Sequence, residues 1–314
     1  MSTDPNSTAN PAASFEPHRR HLLGLAYRML GSMADANDAV QEAYLRWHSA
    51  DRAAVAEPRA FLMTTTTRIC LDALTSARAR REEYIGPWLP EPVLDTAALA
   101  PDSHTELAED LSIALLLTLD RLSTLERAAF LLHDVFDFSF DEVGTALDRS
   151  PAACRQLAAR ARAHIRATRP RGATAPARSG EIDPKHARLM TAFMQATQAG
   201  DLHALTRMLA SDARVVTDGG GRVRAALDVV EGSERAAEFL VAVTRKRADA
   251  WWQDSFTVRF ATINGLPGIV VDSPEGPVQT TAFEIDQNGV VNALYVVRNT
   301  DKLRHLAPAG AHAS

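Results

Sequence analysis

The chain has 314 residues, is 46% hydrophobic and 23% charged, and carries a net charge of −5; this is the composition of an ordinary soluble protein, with length for two or three domains. The net charge excludes a protein that coats nucleic acid through overall basicity, so any DNA contact must come from local patches. Its two cysteines, Cys70 and Cys154, each fall on the apolar side of a predicted helix and read as small core residues, not as a disulfide or metal pair.

Residues 1–14 are polar and read as a disordered leader. Nothing in the sequence resembles a signal peptide or a transmembrane span, so a cytoplasmic protein is expected. The first folded block runs over 15–83. Leu22, Leu25, Ala26, Met29 and Leu30 mark one amphipathic helix, and Ala39, Val40, Ala43, Tyr44 and Trp47 mark a second that starts near Met33. On that second helix Asp35, Asp38 and Glu42 recur at three and four, sharing a face with Gln41 and ending at Leu45 and Trp47. Such a face either grips a basic partner or is merely solvated.

A third helix is predicted from Arg59 through Arg81, with Thr64, Thr65, Thr66 and Thr67 in a row. Short hydroxyls there can bond phosphates or unstacked bases, and Phe61 serves either as core or as support for a base. Arg59, Arg68, Arg78, Arg80 and Arg81 stand with only Asp72 among them. An acidic stretch follows: nine acids lie from Glu82 to Asp120 without a Lys or Arg. Residues 84–103 read as a linker containing the Pro-rich run Trp88-Leu89-Pro90-Glu91-Pro92.

The segment 104–169 is predicted to hold four helices. Asp141 to Leu147 makes a short one, Asp148-Arg149-Ser150 a tight turn, and Ser150 and Pro151 suit the cap and first turn of the next helix. That helix sends Cys154, Leu157 and Ala161 inward and leaves Arg155, Gln156, Ala159 and Arg160 outward. Arg and Gln facing out of the second helix of such a pair is the plan of a DNA-reading helix-turn-helix. From Arg149 to Gly180 there are eight Arg and no acid, which suits phosphate contacts.

Residues 170–183 form a second linker, and the texture then changes. Two helices are predicted over Pro184 to Leu209, one from Ser233 to about Arg247, and strands at Trp251 to Ile263, Gly268 to Val271, Val278 to Ile285 and Val290 to Val297. Helices on one side of an antiparallel sheet make an α+β domain over 184–305, with a tail at 306–314. Trp251, Trp252, Phe256, Phe260, Phe283 and Tyr295 line a cavity or form plain core. Gly219, Gly220 and Gly221 lack the Lys-Ser/Thr of a phosphate loop and read as a turn with positive φ. No acid–base pair can be assigned, so neither enzyme activity nor a cofactor or metal is expected.

With these pieces in order, the chain resembles a bacterial extracytoplasmic-function sigma factor over about Phe15 to Arg169. Ala34 to Trp47 is similar to the region-2 helix that binds RNA polymerase core, which implies core contacts by Asp35, Asp38, Gln41, Glu42, Leu45 and Trp47. Pro58 to Leu62 and the helix that follows are similar to the part that opens the minus-ten element. The resemblance implies contacts there by Arg59, Phe61, Thr64, Thr65, Arg68, Arg78, Arg80 and Arg81. The helix-turn-helix resembles region 4, which implies minus-thirty-five contacts by Arg149, Ala152, Arg155, Gln156 and Arg160. The chain departs from the family pattern at Asn37, Phe61 and Arg68.

Three further segments resemble the marks of one subgroup with a fused C-terminal domain of the SnoaL-like, cone-shaped kind. These are Trp88 to Pro92, the run Asp218, Gly219, Gly220, Gly221, Arg222, and the run Asn299, Thr300, Asp301, Lys302, Leu303, with Thr300 where Pro is usual. The implied architecture is two all-α sigma domains followed by an α+β cone with a curved antiparallel sheet. The resemblance also implies that this domain modulates sigma activity within the same chain through contacts made by those three segments. The expected partners are core polymerase, promoter DNA and a small ligand in the cone. A one-component helix-turn-helix regulator with a ligand-sensing domain is the alternative.

Overall fold

The computed structural model describes residues 11–82, 84–94, 99, 111–168, 182–251 and 256–306, without the side chains of 75–82 and 247–251. The chain falls into two compact units: 1–79, 97–109 and 118–168 in the first, and 80–96, 110–117 and 169–314 in the second.

In the first unit, α1 (Pro11–Leu30) buries Phe15, Leu22, Leu25, Ala26 and Met29 at helical spacing. It begins inside the expected leader, which corrects that boundary. Ser14 is held there because its Oγ accepts from Trp47 Nε1 at 3.1 Å, and Phe15 packs edge-on to Tyr44. Gly31, at φ 71, ends the helix, and Ser32 caps α2 (Met33–Ser49) by accepting from the Asp35 N–H. The buried stripe of α2 is Ala36, Ala39, Val40, Ala43 and Trp47. Helix α3 (Pro58–Glu82) buries Leu62, Met63, Thr66, Thr67 and Cys70.

Helix α4 (Ile113–Asp120) leads into α5 (Thr124–Phe130), a π-turn (Leu131–Val135), α6 (Phe140–Leu147) and α7 (Pro151–Thr168). Capping boxes at Ser123/Glu126 and Ser139/Glu142 start α5 and α6. Asp148 turns left-handed at φ 53, and Ser150 Oγ accepts from the Ala153 N–H, so the chain doubles back within three residues. Gly144 is required beneath this turn, because a Cβ there would lie 2.7 Å from the Arg149 carbonyl oxygen.

In the second unit, α8 (Pro184–Ala199) and α9 (Leu202–Met208) precede β1 (Leu209–Asp218), β2 (Val230–Glu231) and α10 (Ser233–Trp251). Strands β3 (Thr257–Ile263), β4 (Leu266–Ser273), β5 (Gly276–Ile285) and β6 (Val291–Val297) complete a sheet of order β2-β1-β6-β5-β4-β3. The sheet is antiparallel except at β1–β6, which pair in parallel. The long stretch between those two strands permits that orientation, which a hairpin would forbid. Trp251 closes α10 instead of opening a strand, and Trp252 lies outside the described residues.

Both faces of the central strands are buried, while the edge strand β3 leaves Val258 and Phe260 exposed, so Phe260 is neither core nor cavity lining. Phe193, Leu205, Ala237 and Val241 of the helices pack on Val215, Ile269, Phe283, Leu294 and Val296. The opposite face, with Val216, Val270, Ala282, Tyr295 and Val297, is covered by Leu89, Ile113 and Leu303. Two-sided burial explains why β6 reads as a nearly continuous apolar run. Among the described residues no helix is long and apolar enough to cross a membrane.

Candidate nucleic-acid interface and linker clasp

The exposed side of α7 carries Ala152, Arg155, Gln156 and Arg160, with Arg149 exposed in the turn before it. The Arg155 guanidinium lies over the Phe140 ring at 5.5 Å, and that ring stacks on His133 at 3.9 Å. The arginine is thus steered from beneath without losing its outward donors. Arg160 is different: its Nε is 2.6 Å from Glu126 Oε1. The Ser123 hydroxyl, and after it Arg160, hold the Glu126 carboxyl below the usual carboxylate range. Arg160 thus has its Nε engaged within the protein, while its side chain stays 61% exposed.

On α3, Arg59 Nη2 donates to the Phe136 carbonyl at 2.9 Å and its guanidinium sits 5.3 Å from the Phe138 ring. Arg68 donates to Thr145 O at 2.8 Å and Ala146 O at 3.2 Å. Phe61 is partly buried, its ring 5.6 Å from that of Trp47. Thr64 is half-buried, and Thr65 returns its hydroxyl to the Phe61 carbonyl at 2.8 Å. The side chains of Arg78, Arg80 and Arg81 lie outside the described residues.

The acidic side of α2 presents Asp38, Gln41, Glu42 and Leu45 to solvent, with Asp35 half-buried at its start. Leu45 is 52% exposed, a large apolar side chain beside carboxylates. Trp47 does not belong to this surface. It is 1% exposed and forms core, because position 47 falls on the stripe of Ala36, Ala39, Val40 and Ala43.

The second unit contains a polar cluster centred on Asp218, at the end of β1. Its Oδ1 accepts from Tyr84 OH at 2.5 Å, and its Oδ2 accepts from the Leu89 N–H at 2.8 Å and from Lys302 Nζ at 2.7 Å. Lys302 also donates to the Leu89 carbonyl at 2.6 Å and sits over the rings of Trp88 and Tyr84. Asn299 Nδ2 donates to Tyr84 Oη at 2.9 Å, and His305 Nε2 lies 2.8 Å from the Pro92 carbonyl. Burial, and then the Asp218 carboxylate, push the Tyr84 hydroxyl well above its usual range.

Within the segments that the resemblance marks as contacts, Asp218, Asn299, Lys302 and Leu303 are all buried. A carboxylate and an ammonium can be buried together here because each is closed off by several hydrogen bonds. Glu91 and Pro90 are buried in the same run, while Arg222 and Asp301 pair at the rim at 3.0 Å. The glycine turn leaves no room for side chains: a Cβ on Gly219 would lie 2.1 Å from Val223 O, and one on Gly220 2.2 Å from Asn299 Nδ2. Gly220 and Gly221 have positive φ. Sequence reasoning did not find Tyr84 and His305. Their partners lie 134 to 215 residues away in the chain, and no local pattern signals them.

Residues 15–80 match the family described as Sigma-70 region 2, and residues 112–165 that described as Sigma-70, region 4. The chain is 38% identical over 300 residues to the ECF RNA polymerase sigma factor SigJ of Mycobacterium tuberculosis, covering 92% of each. A probable ECF RNA polymerase sigma factor, SigI, of the same organism is 34% identical over 63% of this chain and 66% of its own. The crystal structure of SigJ superposes with a TM-score of 0.68 at 33% identity, covering 93% of this chain and 97% of that one.

Proposed function

Because the chain belongs to the extracytoplasmic-function (ECF) RNA polymerase sigma factors, we propose that it brings core polymerase to a small set of promoters, and that its C-terminal α+β domain tunes this by holding the linker after region 2. In this reading Asp38, Gln41, Glu42 and Leu45 bind core, and α7 reads the minus-thirty-five element through Arg155 and Gln156. Helix α3, with Arg59, Arg68, Thr64 and Thr65, works at the minus-ten element. We assign the C-terminal domain no reaction of its own. The family membership sets aside the one-component regulator, which has no use for an acidic polymerase-facing helix.

The observation that carries the regulatory part is the buried Asp218 carboxylate, which joins Tyr84 and Leu89 of the linker to Lys302 near the C-terminus. A contact built from buried charge is geometrically demanding, so it is held in one arrangement or released as a unit. The test reconstitutes holoenzyme with the full chain and compares it with Tyr84→Phe, which removes one hydroxyl from the cluster. Core affinity should stay unchanged while transcription from a promoter selected by the parent holoenzyme shifts. Equal transcription by both would leave the C-terminal domain without a regulatory role.

A further inference from the structure

Aromatic residues alternate at the end of the π-turn and the start of α6, and their surroundings differ. Phe136 and Phe138 are core, at 0% and 3% exposure, while Phe140, the first residue of α6, is only partly buried. Its ring is engaged in another way. His133 stacks on it with centroids 3.9 Å apart and planes at 29°, and the Arg155 guanidinium lies over it at 5.5 Å. The His133 ring is itself fixed. Its Nδ1 is 2.8 Å from the Phe138 carbonyl oxygen, and since a carbonyl only accepts, that nitrogen carries the proton.

The backbone dictates this column. In the π-turn the Phe136 N–H donates to the Leu131 carbonyl at 3.0 Å, and Asp137 then reverses the chain at φ 61. The Phe138 N–H closes the reversal on the Leu132 carbonyl at 3.0 Å, and the Ser139 cap starts α6 at Phe140. His133 and Phe140 are so brought ring against ring. π-turns within helices are rare and gather at functional positions.

Resting on the reading of α7 as the minus-thirty-five helix, we propose that Phe140 and His133 are positioning residues that hold the Arg155 guanidinium in the plane needed to read one guanine. The O6 and N7 acceptors of a guanine edge take two donors from one guanidinium only when the planes agree. A free arginine on a helix surface samples many rotamers and loses that freedom on binding. One laid on a ring that is anchored to a backbone carbonyl has lost part of it beforehand, so the base contact forms at smaller cost. Phosphate contacts carry no such demand, so affinity for DNA of any sequence does not draw on the stack.

The probe is a promoter selected from randomised DNA by the parent holoenzyme, remade with each minus-thirty-five base pair replaced in turn. Arg155→Ala identifies the guanine, as the position whose preference it flattens. Phe140→Leu should lower the preference for guanine over adenine there by about two- to fivefold, the range of a cation–π contact at an exposed site. It should leave the other positions, and binding to unrelated duplex, unchanged. Phe140→Tyr keeps the ring and should restore the preference. His133→Asn keeps a donor for the Phe138 carbonyl, removes the stacked ring, and should fall between Phe140→Leu and the parent. Adding Phe140→Leu to Arg155→Ala should change nothing more at that position. An equal loss at every position in Phe140→Leu, an unchanged preference, a further loss in the double variant, or flattening at a base other than guanine would each overturn the proposal. If Arg155→Ala flattened no position, the reading of α7 would fail, and this proposal with it.

Discussion

The Arg68 guanidinium closes the end of α6 by donating to the carbonyl oxygens of Thr145 and Ala146. The last carbonyls of a helix have no partner within it, and a cation there also meets the negative end of the dipole. Arg59 does the same for the carbonyl of Phe136. Two arginines proposed for the minus-ten element therefore each give donors to region-4 backbone in this arrangement. Arg68→Ala should speed hydrogen exchange at the end of α6 and loosen that contact by about 1 kcal/mol. It should also weaken binding to a single-stranded minus-ten oligonucleotide. Weaker oligonucleotide binding without faster exchange would show that Arg68 serves DNA alone.

The two outward arginines of α7 should behave differently. Arg155→Ala is expected to weaken binding to the minus-thirty-five duplex by about 1–3 kcal/mol, more on the cognate sequence than on others. Arg160→Ala should do less, because its Glu126 partner already competes for it. Glu126→Gln should raise affinity and steepen the salt dependence by about one phosphate contact. Fluorescence anisotropy across salt concentrations measures all three.

Acidification offers an independent view of Glu126. Its carboxyl is held below the ordinary carboxylate range when folded, first by Ser123 and then by Arg160. Its contribution to stability is therefore complete above that range and is lost as pH falls through the lowered value. Between neutral pH and the acid limb, Glu126→Gln should lose less stability than the parent in denaturant titrations. A steeper acid loss in the variant would contradict the capping role.

On α2 the face and the core separate cleanly. Glu42→Lys and Asp38→Lys should abolish assembly with core polymerase and leave helical content intact. Trp47→Ala should instead destabilise the first unit by about 3–5 kcal/mol, as expected for removing a buried aromatic. Calorimetry and a core pull-down on the same variants distinguish the two. A stable Trp47→Ala protein that has lost only core affinity would return that residue to the binding face.

The Asp218 cluster should show the asymmetry of buried charge. Removing Lys302 alone, as Lys302→Met, leaves the carboxylate with two neutral donors and should cost about 3–5 kcal/mol in the second unit. Tyr84→Phe should cost about 1 kcal/mol. Chemical denaturation followed by tryptophan fluorescence reads both. A cost for Lys302→Met no larger than that for Tyr84→Phe would mean the ion pair is replaceable.

Local chemistry was legible in the sequence and distant pairing was not. The turn at Asp148 to Ser150, the inward Cys154 and Leu157, and the outward Arg155 follow from short-range periodicity and capping. The burial of Lys302 does not, since a lysine followed by leucine near a chain end reads as surface until Asp218 and the linker are placed beside it. Trp47 misled for the opposite reason. It ends an acidic face by spacing, yet its position belongs equally to the apolar stripe, and burial decided. The strand start at Trp251 failed because two tryptophans raise strand propensity, while the preceding helix simply continues through the first of them.

The parallel seam between β1 and β6 also fixes an order of events during synthesis. β1 carries Asp218, but its partner strand and Lys302 are made last, after every helix of the sigma regions has left the ribosome. Contacts so distant in sequence form slowly, and domains fold as they emerge. Each new molecule therefore passes through an interval in which the helices of its sigma regions exist and the linker lacks its bond to Lys302. The length of that interval is set by translation and by closure of one strand pair. A chain truncated before Lys302 would lose that residue's bonds to Asp218 and the Leu89 carbonyl and keep only those that Tyr84 and the Leu89 N–H make to Asp218.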